Sequence, residues 1–150
     1  MQNIELVLPD AHKKMKITPG MQKEMDDVQR ELERHREKLL PGTINFIISK
    51  GFYRPKKKVL TIAAVIVNTT EKDIEGIKMD LFFSLKNYPD AKFPKMNAVL
   101  NKEFLGVIEK NQAFILHFDV PSENLGEADL VFQPNEITGK VENIEYHYVK

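Results

Sequence analysis

The side chains best suited to proton transfer or metal binding in this 150-residue sequence are four histidines, His12, His35, His117 and His147. Paired imidazoles hold a metal when their spacing puts both rings on one face, as in HExxH, or when cysteines share the site. Neither pattern occurs. The chain contains no cysteine, which excludes thiolate ligands, disulfides and cysteine nucleophiles together. His117 and His147 fall on outward parities of two strand-like stretches, where a shared surface would suit an enzyme of unrecognised type. His35 lies on an apolar helical stripe, where a partly buried histidine is the ordinary reading. The three serines, Ser49, Ser84 and Ser122, lie outside any GxSxG turn. The seven glycines are scattered and form no phosphate cradle. Asp26-Asp27 sits among charges of both signs and reads as a solvated helix face. The sequence therefore predicts no catalytic, cofactor-binding or metal-ligating residue and no cofactor.

Charge excludes a further class. Twenty-two basic residues balance twenty-two acidic ones, whereas nucleic-acid-binding domains carry a basic surplus. The balance is uneven along the chain: residues 1–40 are neutral, residues 41–118 carry +5 and residues 119–150 carry −5. The positive excess gathers at Lys50, Arg54, Lys56, Lys57 and Lys58. Phe52 and Tyr53 beside it could stack on bases, but lysines also guard exposed turns and strand edges, and the solvated turn is the reading adopted. Asn68-Thr69-Thr70 matches a glycosylation acceptor; with no basic, apolar leader ahead of it, it reads as a polar turn. No apolar stretch approaches the ~20 residues of a membrane helix, so the expectation is a cytoplasmic protein without membrane insertion.

The elements that position these side chains are plainer. Residues 1–17 read as an extended arm. Thr18 and Pro19 open a helix spanning 18–40 as N-cap and first helical residue. Met21, Met25, Val28, Leu32, His35 and Leu39 follow at intervals of four and three, one stripe of an amphipathic helix. Pro41-Gly42 ends it. Beyond it the period drops to two. Ile44, Phe46 and Ile48 alternate with Asn45 and Ser49, and Val59–Val67 is apolar on both parities, broken only by Thr61, as a strand covered on both faces requires. Ile77–Leu85, a less regular Val99–Ile108 with a bend at Gly106, Phe114–Phe118, Leu130–Phe132 and Ile144–Tyr148 complete seven β-segments. The pattern predicts a mainly-β fold, an immunoglobulin-like antiparallel sandwich over 43–150 with one N-terminal helix, in a single globular domain.

Several segments carry a resemblance. They are Leu8-Pro9-Asp10-Ala11-His12, Leu40-Pro41-Gly42-Thr43-Ile44-Asn45, Val65-Ile66-Val67-Asn68-Thr69-Thr70, Leu105-Gly106-Val107-Ile108 and Phe118–Leu125. In this order they resemble the SLAP domain, a bacterial family named from S-layer assembly proteins of the accessory Sec secretion system. The chain has Ala11 where the family pattern carries a tryptophan beside the early histidine, and Asn68-Thr69 where it favours Asn-Gly. The resemblance implies a β-rich accessory module that binds other proteins in secretion or cell-envelope assembly, with no catalytic residue to carry over.

The resulting expectation is a non-enzymatic protein–protein interaction module. Met21, Met25, Val28, Leu32 and Leu39 are its candidate partner-binding residues, because the stripe must cover an edge or end of the sandwich or meet a partner. An edge strand is the other candidate. The opposite-signed halves make a homo-oligomer a further expectation. The alternative is a small-ligand or carbohydrate-binding sandwich using Phe52, Tyr53, Phe82 and Tyr88 as a platform.

Overall fold

A computed structural model describes residues 4–149; residues 1–3 of the arm and Lys150 of the sandwich segment lie outside the described residues. Among the described residues two sheets pack face to face. One has five strands in the order β1 (Glu5–Leu6), β6 (Gln112–Pro121), β3 (Val59–Asn68), β2 (Ile44–Arg54) and β7 (Leu130–Phe132). The other has three, β5 (Met96–Leu100), β4 (Ile74–Leu85) and β8 (Ile137–Tyr148). Six of the seven expected segments form strands, the seventh overlaps β5 only at Val99 and Leu100, and all seven observed strands pair antiparallel. The N-terminal arm adds an eighth, a two-residue strand parallel to β6.

The main core lies between the sheets. Leu60, Ile62 and Ile66 of β3 and Phe114, Leu116 and Val120 of β6 meet Ile77, Met79, Leu81 and Phe83 of β4. The opposite parity of β3 is also buried from Ala63 onward, which explains an apolar run broken only by Thr61. Val65 and Val67, with Ala113 of β6, pack on the outer face of the five-stranded sheet beneath a helix.

That helix is α1 (Pro19–His35), followed by a 3₁₀ turn over Arg36–Lys38. Thr18 caps it, its Oγ1 accepting the Met21 N–H at 3.1 Å, and Pro19 occupies the first turn, where no intrahelical donor is needed. The expected helical span reached residue 40; the chain instead tightens after His35, with Leu39 N–H donating to Arg36 O at 3.2 Å. Val28, Leu32 and Leu39 are buried, each contributing on the order of 2 kcal/mol by leaving water. The stripe thus covers a sheet face rather than the edge or end expected from the sequence. Gln29 fastens the arm to it, accepting the Leu6 N–H at 2.9 Å and donating to Ile4 O at 2.7 Å.

Val99–Ile108 differs from the irregular strand expected. β5 stops at Leu100, and Asn101 caps the one-turn helix α2 (Lys102–Leu105), accepting the Phe104 N–H at 3.0 Å. Gly106 ends α2 at φ +69°, and a Cβ there would lie 2.2 Å from the Asp10 carboxyl. The arm therefore docks on α2 through a glycine that both its backbone angle and its neighbour demand.

Candidate functional site

The helix covers only part of the outer sheet face. It lies over β1, β6 and β3 and leaves β2 and β7 open. Between α1 and β2 runs a groove of about 620 Å³. Val28, Leu32, Leu39, Val65 and Ile47 give it an apolar floor, Asp27, Glu31 and His35 form the helix wall, and Ser49, Lys50, Gln133 and Pro134 form the other. Ile47 is 36 % exposed, and farther along the same face Phe52 and Val131 sit opposite each other at 37 % and 55 %. Lys50 extends over Phe52, its Nζ 4.9 Å from the ring centre.

The groove's acids are shared with neighbours on the helix. Asp27 pairs with Lys23 at 2.9 Å and with Arg30, and Glu31 pairs with Arg34 at 3.1 Å and His35 at 3.2 Å. The hydrogen bond from Lys23 chiefly holds the Asp27 carboxyl below its ordinary pKa. The wall therefore presents alternating charges over an apolar floor, which suits recognition of a polypeptide surface better than proton transfer.

Met21 and Met25 occupy the other end of α1. They are half-buried and line a small cleft of about 110 Å³ with Leu6, Met15, Ile115 and His117. Of the five stripe residues singled out from the sequence, the fold thus assigns Val28, Leu32 and Leu39 to the groove floor and two methionines to this cleft. His117 Nε2 stands 3.2 Å from Glu24 Oε2 across it. This hydrogen bond is the main cause of a raised His117 pKa; burial opposes it, and the Glu24 and Asp119 charges assist.

The remaining sequence candidates separate. His117 is on the outer face of the five-stranded sheet, whereas His147 lies over Gly76 on the three-stranded sheet. The ring of His12 meets Phe104 edge-on at 5.2 Å. Among the described residues no three histidine or acidic side chains gather as a metal-binding group. Tyr53 is buried with its hydroxyl donating to Gly126 O at 3.2 Å, and Tyr88 packs edge-on against Phe132. Phe52 and Phe82 occupy different sheets, so the four rings form no common platform. The basic turn Arg54–Lys58 faces Glu127 and Asp129 across a shallow hollow. Its charge meets the acidic segment within one domain.

Asn68-Thr69-Thr70 is more than a polar turn. Asn68 and Thr70 are each 1 % exposed. Asn68 donates to Lys72 O and Ile108 O and accepts from the Thr70 N–H and hydroxyl. Thr69 Oγ1 and the Asn45 amide hold the chain after α1 at Leu40 and Thr43.

No family model matches the chain, and no curated protein or solved structure matches it.

Reasoning from sequence missed Ile47, Lys50, Gln133 and Pro134. Ile47 carried a signal, an apolar residue on the otherwise polar parity of β2. The others are brought to the groove by tertiary packing alone. Glu24 was missed as the partner of His117, 93 residues away.

Proposed function

We propose that the chain is a non-enzymatic protein–protein interaction module that docks its partner in the groove between α1 and β2. The supporting observation is the half-covered outer face, where Ile47 remains partly exposed on the groove floor while Val65 and Val67 of β3 and Ala113 of β6 are buried under α1. A volume of about 620 Å³ accommodates several side chains of an amphipathic segment, with the charged walls contacting its polar flanks. The partner-binding role expected for the stripe then rests on Val28, Leu32 and Leu39 as floor.

The resemblance to SLAP domains supports a partner from secretion or cell-envelope assembly, met on the cytoplasmic side. The resembling segments meet in pairs here: Asp10 packs on Gly106, and Gly42 N–H donates to Thr69 O at 3.0 Å. Among the described residues no helix is long and apolar enough to cross a membrane. A second reading, self-association, is favoured by β8, a twelve-residue strand at a sheet edge, although Lys140 and the positive-φ Asn143 are the kinds of feature that blunt edges.

Co-purification of the tagged full chain from its native cells, followed by mass spectrometry and sizing, tests this reading. A stoichiometric protein partner is expected. Recovery of no partner with a monomeric chain overturns it.

A further inference from the structure

Among the described residues, three methionines and two histidines line the small cleft at the start of α1. They arrive from three segments. Met15 follows the 3₁₀ turn that holds His12, its N–H donating to His12 O at 3.1 Å. Met21 and Met25 are one turn apart on α1, and His117 enters from the outer face of β6. The convergence is made by the fold, since the segments are joined only through packing of arm and helix on the sheet.

We propose that this cleft binds Cu(I), through the thioethers of Met15, Met21 and Met25 and the Nδ1 of His117. Thioether and imidazole donors select this soft cation over magnesium, calcium or manganese, which take oxygen ligands. With no cysteine in the chain, thioethers are its softest donors. Leu6 and Ile115 complete an apolar surround that disfavours hydrated divalent ions. The volume of about 110 Å³ suits an ion and falls below the ~300–1,000 Å³ of small-molecule pockets.

Gap-filling accounts for methionines on an apolar stripe. It does not account for an imidazole brought beside them and hydrogen-bonded to a carboxylate of the same cleft. When His117 donates from Nε2 to Glu24 at 3.2 Å, Nδ1 keeps its lone pair. A carboxylate hydrogen-bonded to the other nitrogen of a histidine orients metal-binding rings and raises their basicity. The ion would tie arm, helix and sheet together at the end of α1 away from the protein-docking groove, so the site stands or falls independently of that groove.

The test is titration of the full chain with Cu(I) under reducing conditions, and with Ag(I) as a redox-inert probe, read by the methionine methyl resonances. One equivalent should shift Met15, Met21 and Met25 and leave Met79 and Met96 in place. Met21→Leu/Met25→Leu, which conserves volume, should lower affinity by at least about 100-fold, and Glu24→Gln by about tenfold. No uptake by the unaltered protein, shifts that include Met79 and Met96, or affinity unchanged in the double variant each overturn the proposal.

Discussion

Glu24 on the second turn of α1 and His117 on β6 face each other at 3.2 Å, joining the helix to the sheet it covers. Because this contact raises the His117 pKa from its ordinary 6.5, the folded state binds the proton more tightly than the unfolded chain. Its stabilisation is fully present below the unfolded value and is lost as pH rises through the folded one. His117 is half exposed, so solvent screening limits the contribution to about a few tenths of a kcal/mol. Urea midpoints measured between about pH 5 and about pH 8 should carry this small decline, and Glu24→Gln should remove it. A slope unchanged in the variant would place its origin elsewhere.

Leu32→Ala tests whether the stripe is held within the chain. Leu32 is 4 % exposed among Val28, Val65 and Val67, so truncation should cost about 2–3 kcal/mol of unfolding free energy. A near-neutral result would mean that α1 does not rest on the sheet in solution.

Gly106→Ala should destabilise by more than about 1 kcal/mol, because the angle is unfavourable for alanine and the new methyl would meet Asp10. Adding Asp10→Ala relieves the clash and leaves the backbone cost. The double variant should therefore recover part of the loss in chemical denaturation, and no recovery at all would mean that the arm does not dock on α2.

Asn68→Ala should cost about 1–3 kcal/mol, since it leaves the buried Thr70 N–H without its acceptor and takes one of two donors from the Ile108 carbonyl. Thermal unfolding measures this directly. A surface-like effect of a few tenths would contradict the hub described for this turn.

The local features of the fold were legible because they depend on neighbours in sequence. The stripe from Met21 to Leu39, the Thr18 cap and the double-sided apolar run of β3 each announced themselves. The two-sided run even required a covering layer, although periodicity could not say that α1 was that layer. The site was legible only in halves. Val28, Leu32 and Leu39 stood out by spacing, but Gln133 and Pro134 join them through sheet packing that leaves no periodic trace. Ile47 broke the alternation of β2, and that break was the available sign of an open face. The short helix at Lys102–Leu105 was obscured because four residues are too few to show a helical period, leaving Asn101 as its signal.

The central claim is that the groove beside Ile47 receives a protein partner. Ile47 is partly exposed, so Ile47→Asp places a charge on the groove floor at little cost to folding. Quantitative co-purification from native cells with the unaltered chain and with Ile47→Asp, each checked for an unchanged unfolding midpoint, compares them most directly. The expected result is a stoichiometric partner retained by the unaltered chain and lost from the variant. Equal recovery of the same partner by both, or by neither, would contradict the account.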